Sequence, residues 1–300
     1  MNKTNPVFAS AVRTERKSAT VSRRRAERLR DGLTYLLLTL GSLMILVPFT
    51  WMVSTSLKRK QDVYTFPPHW IPSPVEWHNY KDAFTVFPFG LYTWNTVTIT
   101  SFVLLGTLLS CSFSAYGFSR LNAPGRNLVF LVLLSTMMLP AAVTMVPTYL
   151  LFNKLGWTNT FMPLIVPAWF GNAFFIFMMR QFYMGIPFEL EDSARIDGCS
   201  TYGIWLKIIV PLSRPVLVTV GVFTFMGTWN DFMGPLIYLT DENKRTIALA
   251  LSYFQGSARA APDLHLLMAA TLYAIAPCVV LYFLCQRVFV KGMVFTGVKG

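Results

Sequence analysis

Charge is scarce in this chain: 13% of its 300 residues are Asp, Glu, Lys or Arg, while 54% are hydrophobic. Soluble domains run near a quarter charged, so the composition excludes an ordinary water-soluble fold. Cysteine is scarce too. Cys111, Cys199, Cys278 and Cys285 include no C-x-x-C pair, which leaves no disulfide framework and no zinc-ligand spacing. The three histidines, His69, His78 and His265, are scattered, and there is no H-E-x-x-H. There is also no G-x-x-x-x-G-K-[ST] loop, so nothing is built to cradle a nucleotide phosphate. Residues 1–31 are polar, carry nine Lys/Arg, and do not read as a secretory signal.

What is present is a series of long uncharged runs, at residues 32–57, 83–119, 127–153, 155–179 and 264–286, and a further one, 215–240, interrupted only by Asp231. A helix needs about 20 apolar residues to cross a bilayer. The runs therefore predict an all-α integral membrane protein with six transmembrane helices, their cores near 33–55, 92–117, 127–151, 161–183, 211–238 and 265–287. A net charge of +12 invites a nucleic-acid reading. The basic residues flank apolar runs instead of forming a stripe with interleaved aromatics, so the membrane accounts for them and no nucleic-acid partner is expected. With the N-terminus inside, 18 Lys/Arg fall on the cytoplasmic side against 8 outside, which predicts both termini cytoplasmic. The organisation follows: a basic cytoplasmic tail over 1–31, expected to be disordered; a first transmembrane helix and outer loop over 32–91; and a core over 92–300 with helices 2–6 and a cytoplasmic loop at 186–210.

Two outer loops exceed a tight connection. Residues 56–91 contain Phe66-Pro67-Pro68-His69-Trp70-Ile71-Pro72, which predicts an ordered, extended cap. Residues 241–264 read as a polar loop containing Tyr253, Phe254, Gln255 and Gly256. Asp231 is the one carboxylate inside a span. An intramembrane charge defaults to a functional role, set against a helix cap or bend, because Pro235 follows four residues later.

The acidic residues are concentrated. Of 14 in the chain, Glu189, Glu191, Asp192 and Asp197 fall within nine positions of a polar island between two apolar runs. Pro187 suits the first turn of a helix, the acidic residues that follow suit its positive end, and Gly198 suits its stop. Ser200 can then cap a second helix starting near Thr201. The short helix is too charged to span, and its acidity argues against anionic lipid and for docking into a protein groove.

The run from Glu191 to Gly198, with Ile209-Val-Pro211-Leu212 and Pro215 following, resembles the EAA loop of bacterial ABC-importer permeases. The usual form is Glu-Ala-Ala-x-x-Asp-Gly-Ala; here Asp192 and Ser193 are read in the alanine places and Cys199 follows the glycine. The stretches Trp51–Lys58, Phe66–Pro72, Trp94-Asn95-Thr96, Trp229-Asn230-Asp231, Phe254-Gln255-Gly256, Phe289–Gly292 and Val298–Gly300 are similar to the maltose-type sugar permeases, in particular the shorter, six-helix partner.

The resemblance implies a subunit of the bacterial inner membrane that pairs with a second homologous permease and docks on two ATPase subunits. A periplasmic or lipid-anchored binding protein delivers the sugar. ATP and Mg would be bound by the ATPases, with no cofactor in this chain and no catalysis by it. It further implies a cytoplasmic coupling helix between helices 4 and 5, with Glu189, Glu191, Ala194, Asp197 and Gly198 at the ATPase and Glu191 pairing with an ATPase arginine. Trp229, Asn230 and Asp231 would lie on the substrate path, and Tyr253, Phe254, Gln255 and Gly256 would touch the binding protein. The competing expectation is an ion- or proton-coupled carrier, which needs coupling carboxylates near the midplane.

Overall fold

The computed structural model describes the backbone of residues 6–254 and 263–296 and the side-chain surroundings of residues 28–254 and 263–286. Among the described residues every regular element is helical. In chain order these are α1 (Pro6–Ser56), α2 (His78–Val86), α3 (Phe89–Arg120), α4 (Arg126–Ser135), α5 (Ala141–Lys154), α6 (Met162–Ile165) and α7 (Ala173–Met184). There follow α8 (Glu189–Ile196), α9 (Thr201–Ile204), α10 (Val210–Leu212), α11 (Arg214–Trp229), α12 (Met233–Tyr238), α13 (Ile247–Tyr253) and α14 (Leu264–Thr296).

Among the described residues, four segments are long and apolar enough to cross a membrane: Arg28–Ser56, Phe89–Arg120, Met162–Met184 and Leu264–Gln286. The third and fifth expected spans are bent pairs, Arg126–Met138 with Ala141–Lys154 at 101° and Thr201–Leu212 with Arg214–Trp229 at 79°. Proline explains both. Pro140 forces Leu139 into an extended conformation (φ −79°, ψ 118°) after the 3₁₀ turn at Thr136–Met138. Pro211 and Pro215 flank the break at Ser213 and remove backbone donors on either side of it. The basic segment expected to be disordered continues α1 back to Pro6. After Pro6 it has no Gly or Pro before Gly32, and it is rich in Ala, Arg and other strong helix formers.

Helix α3 is the centre of the bundle, packed against α7, α11 and the 3₁₀ segment Val166–Phe170. Its buried positions are mostly small or hydroxylated, including Thr96, Thr100, Gly106, Thr107, Cys111, Ser112 and Ala115. Small residues let helix backbones approach where no hydrophobic force drives them together. Two cores form at its ends: Phe89 and Tyr92 join Trp229, Ile247 and Phe254 at one, and Ala115 and Tyr116 join Met179, Tyr183, Ile204 and Val220 at the other.

The loop over 56–91 is ordered, as expected. Trp51 and Trp70 meet edge to face at 5.0 Å, Lys58 lies 4.0 Å from the Trp51 ring centre, and the Asn79 amide donates to the carbonyls of Ser56 and Lys58 at 2.9 and 2.8 Å. The segment over 241–264 departs from expectation. It folds a helix, α13, into the core, with Ile247, Leu249 and Ala250 all buried. Asn95 and Thr96 of α3 hold it there: the Asn95 amide donates to the carbonyls of Asn243 (2.7 Å) and Arg245 (3.0 Å), and the Ile247 N–H donates to Thr96 Oγ1 at 3.0 Å. Across the two loops, Lys60 Nζ reaches Asp263 Oδ1 at 2.6 Å.

Gly106 lies close against Trp169, since a Cβ there would sit 2.6–2.8 Å from three of its ring atoms. Gly106→Val is therefore expected to destabilise the detergent-solubilised protein by about 1–3 kcal/mol through overpacking. A thermal melt beside wild type checks this, and an unchanged melting temperature would contradict the packing described.

Candidate functional site: a short acidic helix and the residues behind it

The polar island folds as predicted locally. Helix α8 begins after Pro187 with Glu189, Glu191 and Asp192 in its first turn, where the helix dipole favours negative charge. It ends in a Schellman motif. The Cys199 N–H reaches the Ala194 carbonyl at 2.9 Å, the Gly198 N–H reaches the Arg195 carbonyl at 3.0 Å, and Gly198 is left-handed at φ +81°. Ser200 Oγ then accepts from the Gly203 N–H at 3.2 Å and caps α9. A π-helical turn at Trp205–Ile209 leads on to α10.

The two faces of α8 differ sharply. Phe188, Glu189, Leu190, Asp192, Ile196, Asp197 and Gly198 are exposed, and Ile196 is 86% exposed. The inward face consists of Glu191 and Ala194. Glu191 is fully buried, and its Oε1 lies 3.1 Å from Nε of Arg120, which is equally buried at the end of α3. The contact is electrostatic, not a well-aimed hydrogen bond, since neither carboxylate oxygen of Glu191 nor Arg120 Nε has an aligned partner. Arg120 Nη2 donates to two carbonyls at the end of α7, that of Tyr183 in its last turn and that of Ile186 just past it, the latter at 2.6 Å. The guanidinium also lies 4.2 Å from the Phe188 ring centre.

This corrects two expectations. The pairing expected between Glu191 and an ATPase arginine is taken by Arg120 of the same chain, and Ala194 faces the chain's own core instead of a partner. Glu189, Asp197 and Gly198 do lie on the open face. The motif's register shifts accordingly. Counted back from Asp197-Gly198, its leading carboxylate falls on Asp192, whose side chain is 64% exposed and held by Arg195 at 3.1 Å. Arg120 escaped the sequence reading, which counted it only as an orienting charge. A single arginine closing a 37-residue uncharged run at 83–119 was the available signal.

The expected substrate path is scattered. Trp229 is a core residue: its indole N–H donates to the Ala274 carbonyl at 2.9 Å and its ring stacks on Phe225 at 5.3 Å. The Asn230 amide donates to Met226 of its own helix at 2.8 Å. Asp231 Oδ1 accepts from the Gly234 N–H at 3.0 Å, which gives it the capping role between α11 and α12. It also lines a cleft of about 120 Å³ together with Thr96, Thr228 and Thr246. The expected binding-protein loop changes too. Phe254 is 2% exposed and packs on Phe87 at 4.9 Å and Phe89 at 5.7 Å, because its loop begins as the buried helix α13. Tyr253 is half-exposed beneath the Arg245 guanidinium, at 4.2 Å. Gln255 and Gly256 lie outside the described residues. Among the described residues no three His, Cys, Asp or Glu side chains converge as a metal site.

Among the described residues, four to six apolar spans with a short acidic helix exposed between two of them describe a polytopic membrane protein. The chain belongs to the family of binding-protein-dependent transport system inner membrane components, whose profile matches residues 106–295. It is similar to the probable ABC transporter permease protein YurM of Bacillus subtilis, at 34% identity over 89% of this chain and 88% of that one. The arabinooligosaccharides transport system permease protein AraQ of Halalkalibacterium halodurans is 33% identical over 86% of this chain and 90% of that one. The lactose transport system permease protein LacG of Rhizobium radiobacter is 32% identical over 89% and 96%. The fold is that of a chain in the crystal structure of a bacterial ABC transporter that imports the acidic polysaccharide alginate, with a TM-score of 0.78, 22% identity, and coverage of 88% of this chain and 97% of that one.

Substitutions at two positions test the site's construction. A Cβ on Gly198 would meet nothing within 4 Å, so Gly198→Ala should cost only the left-handed backbone penalty, about 1–2 kcal/mol. Gly198→Pro should cost more, since proline cannot reach φ +81° and loses the N–H that bonds Arg195. Equal melting temperatures for wild type, Ala and Pro variants would overturn the cap. Phe254→Ala should destabilise by about 3–5 kcal/mol as a core truncation, and a change below 1 kcal/mol in a denaturant or thermal assay would return Phe254 to the surface.

Proposed function

We propose that this chain is the shorter, six-helix permease subunit of an importer that moves a sugar or oligosaccharide across the bacterial inner membrane by ATP-driven alternating access. In this reading each bent helix pair is one crossing, and both termini lie in the cytoplasm. A second homologous permease completes the pathway, and two ATPase subunits bind ATP and Mg. An extracytoplasmic binding protein delivers the sugar to the outer loops. Helix α8 is the coupling helix, offering Glu189, Asp192, Asp197 and Gly198, with Leu190 and Ile196 as its apolar anchors.

The observation that carries this reading is the open face of α8. A short helix with apolar and acidic side chains outward, and its own fold satisfied inward, has the form of a helix-in-groove ligand. Membership of a binding-protein-dependent transport family supports an ATPase subunit as the partner that supplies the groove. Carbohydrate as the cargo rests on the relatives, two of which are named for arabinooligosaccharides and lactose. A coupled carrier finds less support, because the one carboxylate expected inside a span, Asp231, has an oxygen committed to the Gly234 N–H.

The test is uptake into proteoliposomes containing this chain with its co-expressed ATPases and second permease. Binding protein loaded with labelled lactose, raffinose or arabino-oligosaccharides is added outside. At least one sugar should accumulate only when ATP and binding protein are both present, and accumulation should survive a protonophore. Uptake driven by a proton or sodium gradient without ATP would replace this reading with the carrier.

A further inference from the structure

The linker from α7 to α8, residues 185–188, is anchored by Ile186, and α8 by Ala194, both buried in one core. Arg120 adds a polar tie to that packing. From the end of α3, one guanidinium holds the carbonyls of Tyr183 and Ile186, the Glu191 carboxylate at 3.1 Å and the face of the Phe188 ring at 4.2 Å. It thus touches the end of α7, the linker and the inward face of α8 at once.

We propose that Arg120 and Glu191 form an internal latch that makes α8 move as one body with α3 and α7, so that Arg120 is a positioning residue for transport. This rests on the reading of α8 as the coupling helix. The energetics favour a closed latch. Both side chains are fully buried, and separating them would leave Arg120 without a carboxylate and Glu191 with only Arg195, 3.7 Å from its Oε2, an unfavourable state for buried charges. The planar guanidinium suits the task, since its fork serves several acceptors in fixed directions while a lysine would offer one point charge. Coupling through a packed, charge-paired element with few alternative arrangements is how displacement crosses a protein without dissipating. The chain continues that path inward: Trp205 Nε1 donates to Ser112 Oγ at 3.1 Å, and Ser112 Oγ lies 2.8 Å from the Tyr183 hydroxyl. Helix α3, helix α7 and the segment after α8 are thereby joined on the same side.

The experiment uses the whole complex, co-expressed and reconstituted, with unnatural amino acids at Ile196 on α8 and Leu109 on α3, both exposed. Spin labels at the two positions report the α8–α3 distance in the nucleotide-free complex and in the complex trapped with ATP and vanadate. A photocrosslinker at Ile196 in a parallel sample reports docking on an ATPase subunit. In the wild-type background the crosslink should form and the distance should be the same in both states. In Arg120→Ala and Glu191→Gln the crosslink should persist, while the trapped-state distance shifts and its distribution widens. Uptake per ATP hydrolysed, measured with the sugar that accumulates in the proteoliposomes described above, should fall roughly fivefold or more. Arg120→Lys should fall between these variants and wild type. A distance that changes on trapping in the wild-type background overturns the latch while leaving docking intact, and needs no variant to fold. A distance that stays fixed in Arg120→Ala or Glu191→Gln overturns it as well. Absence of an ATPase crosslink from Ile196 overturns the docking reading, and the latch with it.

Discussion

In hydrocarbon an unpaired backbone N–H has no water to turn to, and each one left open costs several kcal/mol. This chain interrupts its apolar helices repeatedly, so its architecture depends on side chains that take up the freed groups. Asn172 accepts from the N–H groups of Phe174 and Phe175 before α7. Ser200 does so before α9, Asp231 before α12 and Thr246 before α13. Arg120 does the converse at the end of α7, bringing donors to carbonyls that have run out of helix. At these breaks the freed groups are paired, and pairing fixes where the next segment points.

That constraint shapes the site. Helix α8 can be short, acidic and two-faced because its inward face is settled within the chain. Glu191 spends its charge on Arg120, Ala194 fits the core, and a Schellman turn at Gly198 closes the end. The outward face keeps Glu189, Asp192, Leu190, Ile196 and Asp197 for a partner. One helix thus carries two sets of interactions separated by its own axis. Neighbouring acidic residues one position apart can serve opposite purposes, as Glu191 and Asp192 do.

The sequence made the architecture legible wherever one residue type dictates one local outcome. Apolar run length located the membrane segments, Gly198 marked the end of α8, and Ser200 marked the start of α9. The acidic cluster identified the exposed helix. Less legible was anything decided by which distant residue lies opposite. Glu191 and Asp192 are chemically alike, and only the location of Arg120, 71 positions earlier, tells the buried one from the exposed one. Phe254 and Trp229 sat in stretches that resemble functional motifs, yet they pack into a core assembled from α3, α13 and α14. The residues 241–254 read as a polar loop because Asp241, Glu242, Lys244 and Arg245 precede the apolar turn of α13. The anchoring amide of Asn95 is more than 140 residues away.

The part of α1 from Arg28 to Ser56 stands apart from this tightly satisfied interior. Its apolar window buries none of its residues within the chain, and among the described side chains of the helix only the last, such as Ser54, Thr55 and Ser56, are enclosed. Within this chain its sequence is answerable to oil solubility and length, not to shape. Leu, Ile, Val and Met are interchangeable there in a way they are not along α3, where a methyl group at Gly106 would already collide. The same chain therefore carries two kinds of membrane helix: one that reads like a solvent preference, and one that reads like a lock cut for a single key.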